Sequence, residues 1–143
     1  PFGLSYYSNS DKWWLRQIER MSHCCPYKAL VKAIAKSCTC TQYAYKNMYT
    51  TLKQYTKQEV CHLMGIGYAG FLEENCDLAL RIPVLILIGE DDRTGKVNEY
   101  CKVWQEKTGY PLHVIKNAAH NSNIDNYEQV NREIEKFVNR LKG

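Results

Sequence analysis

Ile82-Pro83-Val84-Leu85-Ile86-Leu87-Ile88-Gly89-Glu90-Asp91-Asp92-Arg93 is the stretch whose reading decides the fold. From Val84 to Ile88 every residue is Val, Leu or Ile, and Gly89 closes the run. An uninterrupted apolar strand, rather than an alternating one, is what a parallel sheet covered on both faces requires. The spacing then predicts a helix over Lys96–Thr108, with Val97, Cys101 and Trp104 on one side and Gly109 past its end. Leu112-His113-Val114-Ile115 reads as a second short strand. Tyr127–Lys142 reads as a final helix, with Val130, Ile134, Phe137, Val138 and Leu141 on one stripe. Strand, helix, strand, helix with short connections is a βαβα unit, expected to cross over right-handed.

Upstream of Leu78 the period changes to that of helices. Ser10 is expected to cap a helix that carries Trp14, Ile18 and Met21. Pro26 is expected at the first position of the next, whose stripe is Tyr27, Leu30, Val31 and Ile34. Tyr45, Met48, Leu52 and Tyr55 give a third stripe. Thr56-Lys57-Gln58-Glu59 has the form of a capping box, threonine and glutamate each satisfying the other's orphan amide. The helix it opens carries Val60, Leu63 and Met64 and should loosen around Gly65, Gly67 and Gly70. The chain thus divides into a helical region, 1–78, and an α/β region, 79–143.

Composition narrows the function classes. The chain has 143 residues, 45% hydrophobic and 24% charged, with 4 Pro and 8 Gly, which excludes collagen-like and disordered chains. No apolar run is long enough to span a bilayer, and no basic segment followed by an apolar one marks a signal peptide. The chain starts at Pro1 instead of Met, so a natural start is expected upstream. Net charge is 19 − 15 = +4 with no Lys/Arg run, so nucleic acid is not an expected partner despite 11 Tyr and 3 Trp. Seven cysteines, an odd number, without a secretory signal point to reduced thiols and a cytoplasmic location. His23-Cys24-Cys25 and Cys38-Thr39-Cys40 lack the CxxC or HxxxH spacing that converges two ligands on zinc. No metal and no cofactor are expected.

In a parallel α/β sheet, functional groups gather beyond the carboxyl ends of the strands. Two loops qualify: Gly89–Gly95, with Glu90, Asp91 and Asp92, and Asn117–Asn123, with His120. Strands joined by one crossover open both loops on the same edge, where an acid and an imidazole can meet. A buried carboxylate that accepts the imidazole N–H fixes the tautomer and leaves the other nitrogen to take a proton. Two plainer roles stand beside this one. The acids precede a helix and fit its capping and dipole, and His120 fits a loop residue bonded to Asn121 or Asn123. His23 and His62 fall in the helical region, and His113 within a strand.

The first stretch resembles the penultimate strand and acid loop of the α/β-hydrolase superfamily. Ile115-Lys116-Asn117-Ala118-Ala119-His120, with Val130-Asn131 and Ile134-Glu135-Lys136-Phe137-Val138, is similar to its last strand, histidine loop and closing helix. The specific match runs from about Ile82 to Leu141. The family's acid is the third residue after the strand-ending glycine, which implies Asp92, and its histidine implies His120. The region up to Leu78 resembles the family's helical cap by position and character. The resemblance therefore implies a partial α/β-hydrolase fold: a helical cap, then a C-terminal β-α-β-α unit with parallel strands.

The family also needs a nucleophile on a sharp strand-to-helix turn, usually G-x-S-x-G. Ser5, Ser8, Ser10, Ser22, Ser37 and Ser122 all lack that glycine frame. Family order puts the nucleophile before acid and histidine, hence upstream of Pro1. The expected function is the C-terminal part of a hydrolase cleaving an ester, thioester or related acyl bond of a small molecule. His120 acts as general base, oriented by Asp92. Trp13, Trp14, Tyr43, Tyr45, Tyr49 and Tyr55 would line an apolar acyl pocket or form the core of the cap. A related reading replaces serine by an aspartate nucleophile, as in enzymes that open epoxides or remove halides. The alternative is a non-catalytic binding module on the same scaffold, the chain alone being inactive. A two-stranded remnant should expose an edge and the apolar faces of Val84–Ile88, and seek either a missing N-terminal half or a second copy.

Overall fold

The computed structural model describes residues 7–70, 72 and 80–142. It is a mixed, mostly helical α/β structure with a small two-stranded parallel sheet. Among the described residues the first helices are α1 (Asn9–Cys24), α2 (Tyr27–Cys38), α3 (Gln42–Leu52) and α4 (Lys57–Gly65), the last running into a π-helical turn at Ile66–Gly70. Then follow β1 (Ile86–Gly89), α5 (Val97–Thr108), β2 (Leu112–Ile115), a one-turn α6 (Ser122–Asp125) and α7 (Tyr127–Lys142).

Two compact units make up the chain, with boundaries inside α2 and α3. The first comprises the described residues up to Ile34 and from Tyr49 to Leu72; the second comprises Ala35–Met48 and the chain from Leu80 onward. Residues 35–48, which the helical period assigns to a continuous cap, thus belong with the α/β unit. The expected boundary between 78 and 79 lies outside the described residues.

In the first unit, α1 begins two residues earlier than expected. Ser8, not Ser10, caps it: the Ser8 hydroxyl accepts the Asp11 N–H at 3.1 Å, and Asp11 accepts the Ser8 N–H at 3.2 Å. An aspartate therefore serves where the usual box has Glu or Gln. Pro26 stands one position before α2, its carbonyl accepting the Leu30 N–H at 2.9 Å. The Thr56–Glu59 box is formed, with Glu59 accepting the Thr56 N–H at 2.7 Å. Leu30, Val31, Val60 and Cys61 make a buried cluster between α2 and α4, ringed by Tyr27, Ile34, Tyr49, Leu52 and Met64. Tyr55 lies beyond the end of α3, where its carbonyl accepts the Tyr27 hydroxyl at 2.6 Å.

In the second unit, β1 and β2 pair in parallel with Ile86 opposite Leu112 and Gly89 opposite Ile115. The ladder starts at Ile86 rather than Val84, its N–H donating to the Pro111 carbonyl at 2.9 Å. Pro111 itself has no N–H, and Gly109 turns away at φ 73°, so nothing on that side pairs with residues 84 and 85. Gly109 is also the left-handed C-cap of α5, a conformation a side chain would strain. Alternation puts Leu87, His113 and Ile115 on one face of the sheet. α7 covers that face: Val130 packs with Ile115, Ala118 and Leu87, and Glu133 bonds the His113 ring at 2.5 Å. The Gln129 amide donates to the Val114 carbonyl and accepts the Lys116 N–H, closing one edge of β2. α5 packs on both strands and buries Tyr100, Cys101 and Trp104.

The side chains of the apolar strand are more covered than a bare remnant would leave them. Ile86 and Ile88 are buried, and Val84, Leu85 and Leu87 half-buried. Exposed apolar surface in this unit lies on Ile82, on Val114 of β2 and farther along the α7 stripe that carries Val130, at Ile134, Val138 and Leu141. The helices packed on the strands account for the difference. No helix among the described residues is long and apolar enough to cross a membrane.

Candidate functional site

The carboxyl ends of β1 and β2 lie side by side, and the loops that leave them are stitched together. Beyond the last paired residues, Glu90 N–H donates to the Ile115 carbonyl at 2.8 Å and Asp91 N–H to the Ala118 carbonyl at 2.9 Å. Asn117 takes a left-handed conformation, φ 51°, which asparagine tolerates better than most residues. Gly89 has no room for a side chain: a Cβ there would run into the backbone oxygens of Ala118 and Ala119. The strand-ending glycine is therefore the residue that lets the histidine loop approach the acid loop.

Of the three acids, Asp92 is the one on the imidazole. Its Oδ2 lies 2.9 Å from His120 Nδ1, with the Asp92 side chain 4% exposed and that of His120 44%. The other oxygen, Oδ1, accepts the Thr94 N–H at 2.8 Å, and the Asp92 carbonyl accepts the Asn98 amide at 2.9 Å. Glu90 instead accepts the Asn117 N–H at 3.2 Å, and Asp91 is exposed. Because an ionised carboxylate only accepts, Nδ1 carries the proton in the neutral ring and Nε2 carries the lone pair. Nε2 has no hydrogen-bond partner among the described residues. Such a ring can take a proton at Nε2 while a buried, fixed carboxylate stabilises the imidazolium. Thr94 Oγ1 and Asn98 Oδ1 are buried and unpartnered beside this acid.

Three supporting residues stand outside the expected set, and one of them carries a sequence signal. Asp92-Arg93-Thr94 has the D-x-T form of an Asx turn, a signal that makes Thr94 legible. Asn98 and Asp125 act across six residues and across more than eighty, where no local signal exists. Asp125 accepts the N–H groups of Cys40, Thr41 and Ala119 and the Thr41 hydroxyl.

Several candidate nucleophiles within the described residues are otherwise engaged. Ser8 caps α1, and Ser22 donates to the Ile18 carbonyl at 2.7 Å. The Cys40 thiol lies 3.8 Å from Asp91 Oδ2. Its pKa is pushed up, by desolvation first and then by the charges of Asp125 and Asp91, against a lowering from Arg93. An activated thiol needs the opposite environment. Cys101, buried in α5 near Asp92, is pushed up to about 11, chiefly by burial.

The remaining histidines are placed elsewhere. His62 faces Glu19 at 3.4 Å on an exposed surface, His113 belongs to the α7 contact, and the His23 carbonyl accepts Lys57 at 2.6 Å. No group of three His, Cys, Asp or Glu among the described residues has the geometry to hold a metal ion. Of the aromatics considered as pocket lining, Trp13, Trp14, Tyr43 and Tyr55 are exposed, and Tyr45 and Tyr49 half-buried. No protein-family model and no curated protein matches the chain.

Proposed function

We propose that this chain supplies the acid and base of an α/β-hydrolase-type triad, acting on a nucleophile from outside these 143 residues. The reaction is hydrolysis of an ester, thioester or related acyl bond. His120 Nε2 takes the nucleophile's proton, returns it to the leaving group, and then activates water. Asp92 holds the ring and offsets the charge that develops on it. The observation that supports this reading is the 2.9 Å contact between buried Asp92 and half-open His120, at the adjoining ends of two parallel strands. The third-residue spacing from Gly89 to Asp92 supports the same reading.

One observation favours a second reading, a non-catalytic binding module: no serine in the chain is framed by glycines two residues before and two residues after it. The gene upstream of Pro1 separates the two. A glycine-framed Ser, Cys or Asp after an apolar strand supports the hydrolase. An upstream sequence without one overturns it in favour of the module.

A further inference from the structure

We propose that Asp125 is a positioning residue for His120, acting through the backbone on both sides of the imidazole. The proposal rests on the reading of Asp92 and His120 as an acid–base pair. Asp125 Oδ1 accepts the Thr41 N–H at 2.8 Å, the Thr41 hydroxyl at 3.0 Å and the Cys40 N–H at 3.0 Å. Its Oδ2 accepts the Ala119 N–H at 3.0 Å and shares the Cys40 N–H at 3.0 Å. On the other side of the imidazole, Asn121 N–H donates to the Cys38 carbonyl at 2.8 Å. Both chain neighbours of His120 are thereby tied to one short connector, Cys38–Thr41, through the end of α2 and the start of α3.

The chemistry of the connector explains why a carboxylate sits there. The end of α2 has carbonyls without helical partners, and the start of α3 has N–H groups in the same condition. Asn121 uses one of the carbonyls, and Asp125 gathers the donors. A carboxylate only accepts and offers about four lone-pair sites, enough for the four donors present. An amide in its place would turn an NH2 group against one of those donors. With 44% of the His120 side chain exposed, the ring has little packing of its own to orient it. Its direction is set by Asp92 and by the backbone that Asp125 holds.

Long-range 1H–15N NMR of the 143-residue chain reads the tautomer of neutral His120. The parent protein should hold it as the Nδ1–H form. Asp125→Asn and Asp125→Ala should lower the Nδ1–H fraction by about twofold or more, toward the Nε2–H form that free imidazole prefers. His113, paired with Glu133 on the far face of β2, is the internal control and should not change. Unchanged His120 in both Asp125 variants, with a changed tautomer in Asp92→Asn, overturns the positioning role and leaves the pair intact. Unchanged His120 in Asp92→Asn overturns the pair itself. Equal disturbance of His113 and His120 in both Asp125 variants means a general loss of fold, and it too overturns the specific role.

Discussion

Replacing Gly89 by alanine should separate the two loops and cost more than any ordinary surface substitution. The added Cβ meets the carbonyl oxygens of Ala118 and Ala119, which are backbone and cannot rotate aside. Relief requires the histidine loop to retreat by about 1 Å, since carbon needs roughly 3.5 Å from a non-bonded neighbour. That movement stretches Glu90 N–H to Ile115 O, Asp91 N–H to Ala118 O and the Asp92–His120 contact, now 2.8, 2.9 and 2.9 Å. Overpacking of this kind costs about 1–3 kcal/mol, and each weakened hydrogen bond adds about 1 kcal/mol. With three such bonds weakened the sum, about 4–6 kcal/mol, divided by a urea m-value of about 2 kcal/mol/M, lowers the midpoint by about 2–3 M. Urea unfolding followed by far-UV circular dichroism reads it. Gly67→Ala, where a Cβ meets nothing within 4 Å, is the control and should stay within about 0.5 kcal/mol. A Gly89→Ala midpoint equal to that of the control would refute the close approach on which the site depends.

Three further outcomes follow from the same structure. Cys101 has its pKa raised from 9.0 to about 11, so the unfolded chain loses that proton first and stability falls as pH rises from 9 to 11. The loss is at most about 3 kcal/mol, two pH units at about 1.4 kcal/mol each, and urea midpoints of Cys101→Ala should lack that part of the alkaline decline. Glu133 has its carboxyl pKa lowered, first by the Lys136 hydrogen bond and also by His113. Its contribution is present above the ordinary carboxylate value and is lost as pH falls through the lowered one, so Glu133→Gln should unfold at higher pH in an acid titration than the parent. In the native protein Cys24, Cys25 and Cys40 should react with iodoacetamide while Cys38, Cys61 and Cys101 stay protected until urea is added, as peptide mass mapping would show.

Legibility followed the range of the forces involved. α7 was readable to the residue because its stripe repeats within one helix, and the Thr56–Glu59 box because both partners lie three residues apart. β1 was misplaced by two residues, because a strand's length depends on its partner, and here the partner is preceded by Pro111. Ser8 lost to Ser10 in the sequence because Asp11 is not the usual Glu or Gln of a capping box, although the Asp11 carboxylate reaches back equally well. For the site, the acid could be narrowed only to Glu90, Asp91 and Asp92 by strand-end position. Selecting Asp92 came from family resemblance alone; in the structure Asp92 Oδ2 lies 2.9 Å from His120 Nδ1. Asp125 and the grouping of Ala35–Met48 with the α/β unit were not readable at all. Both arise from hydrogen bonds between residues more than eighty positions apart, which no period or local motif records.

Hydrolysis of an activated ester by the polypeptide extended upstream of Pro1 tests the central claim most directly. Asp92 and His120 acting as orienting acid and general base predict that His120→Ala and Asp92→Asn each lower kcat by about 10³–10⁴-fold, with the fold retained by circular dichroism. Turnover equal to that of the parent in both variants would contradict it.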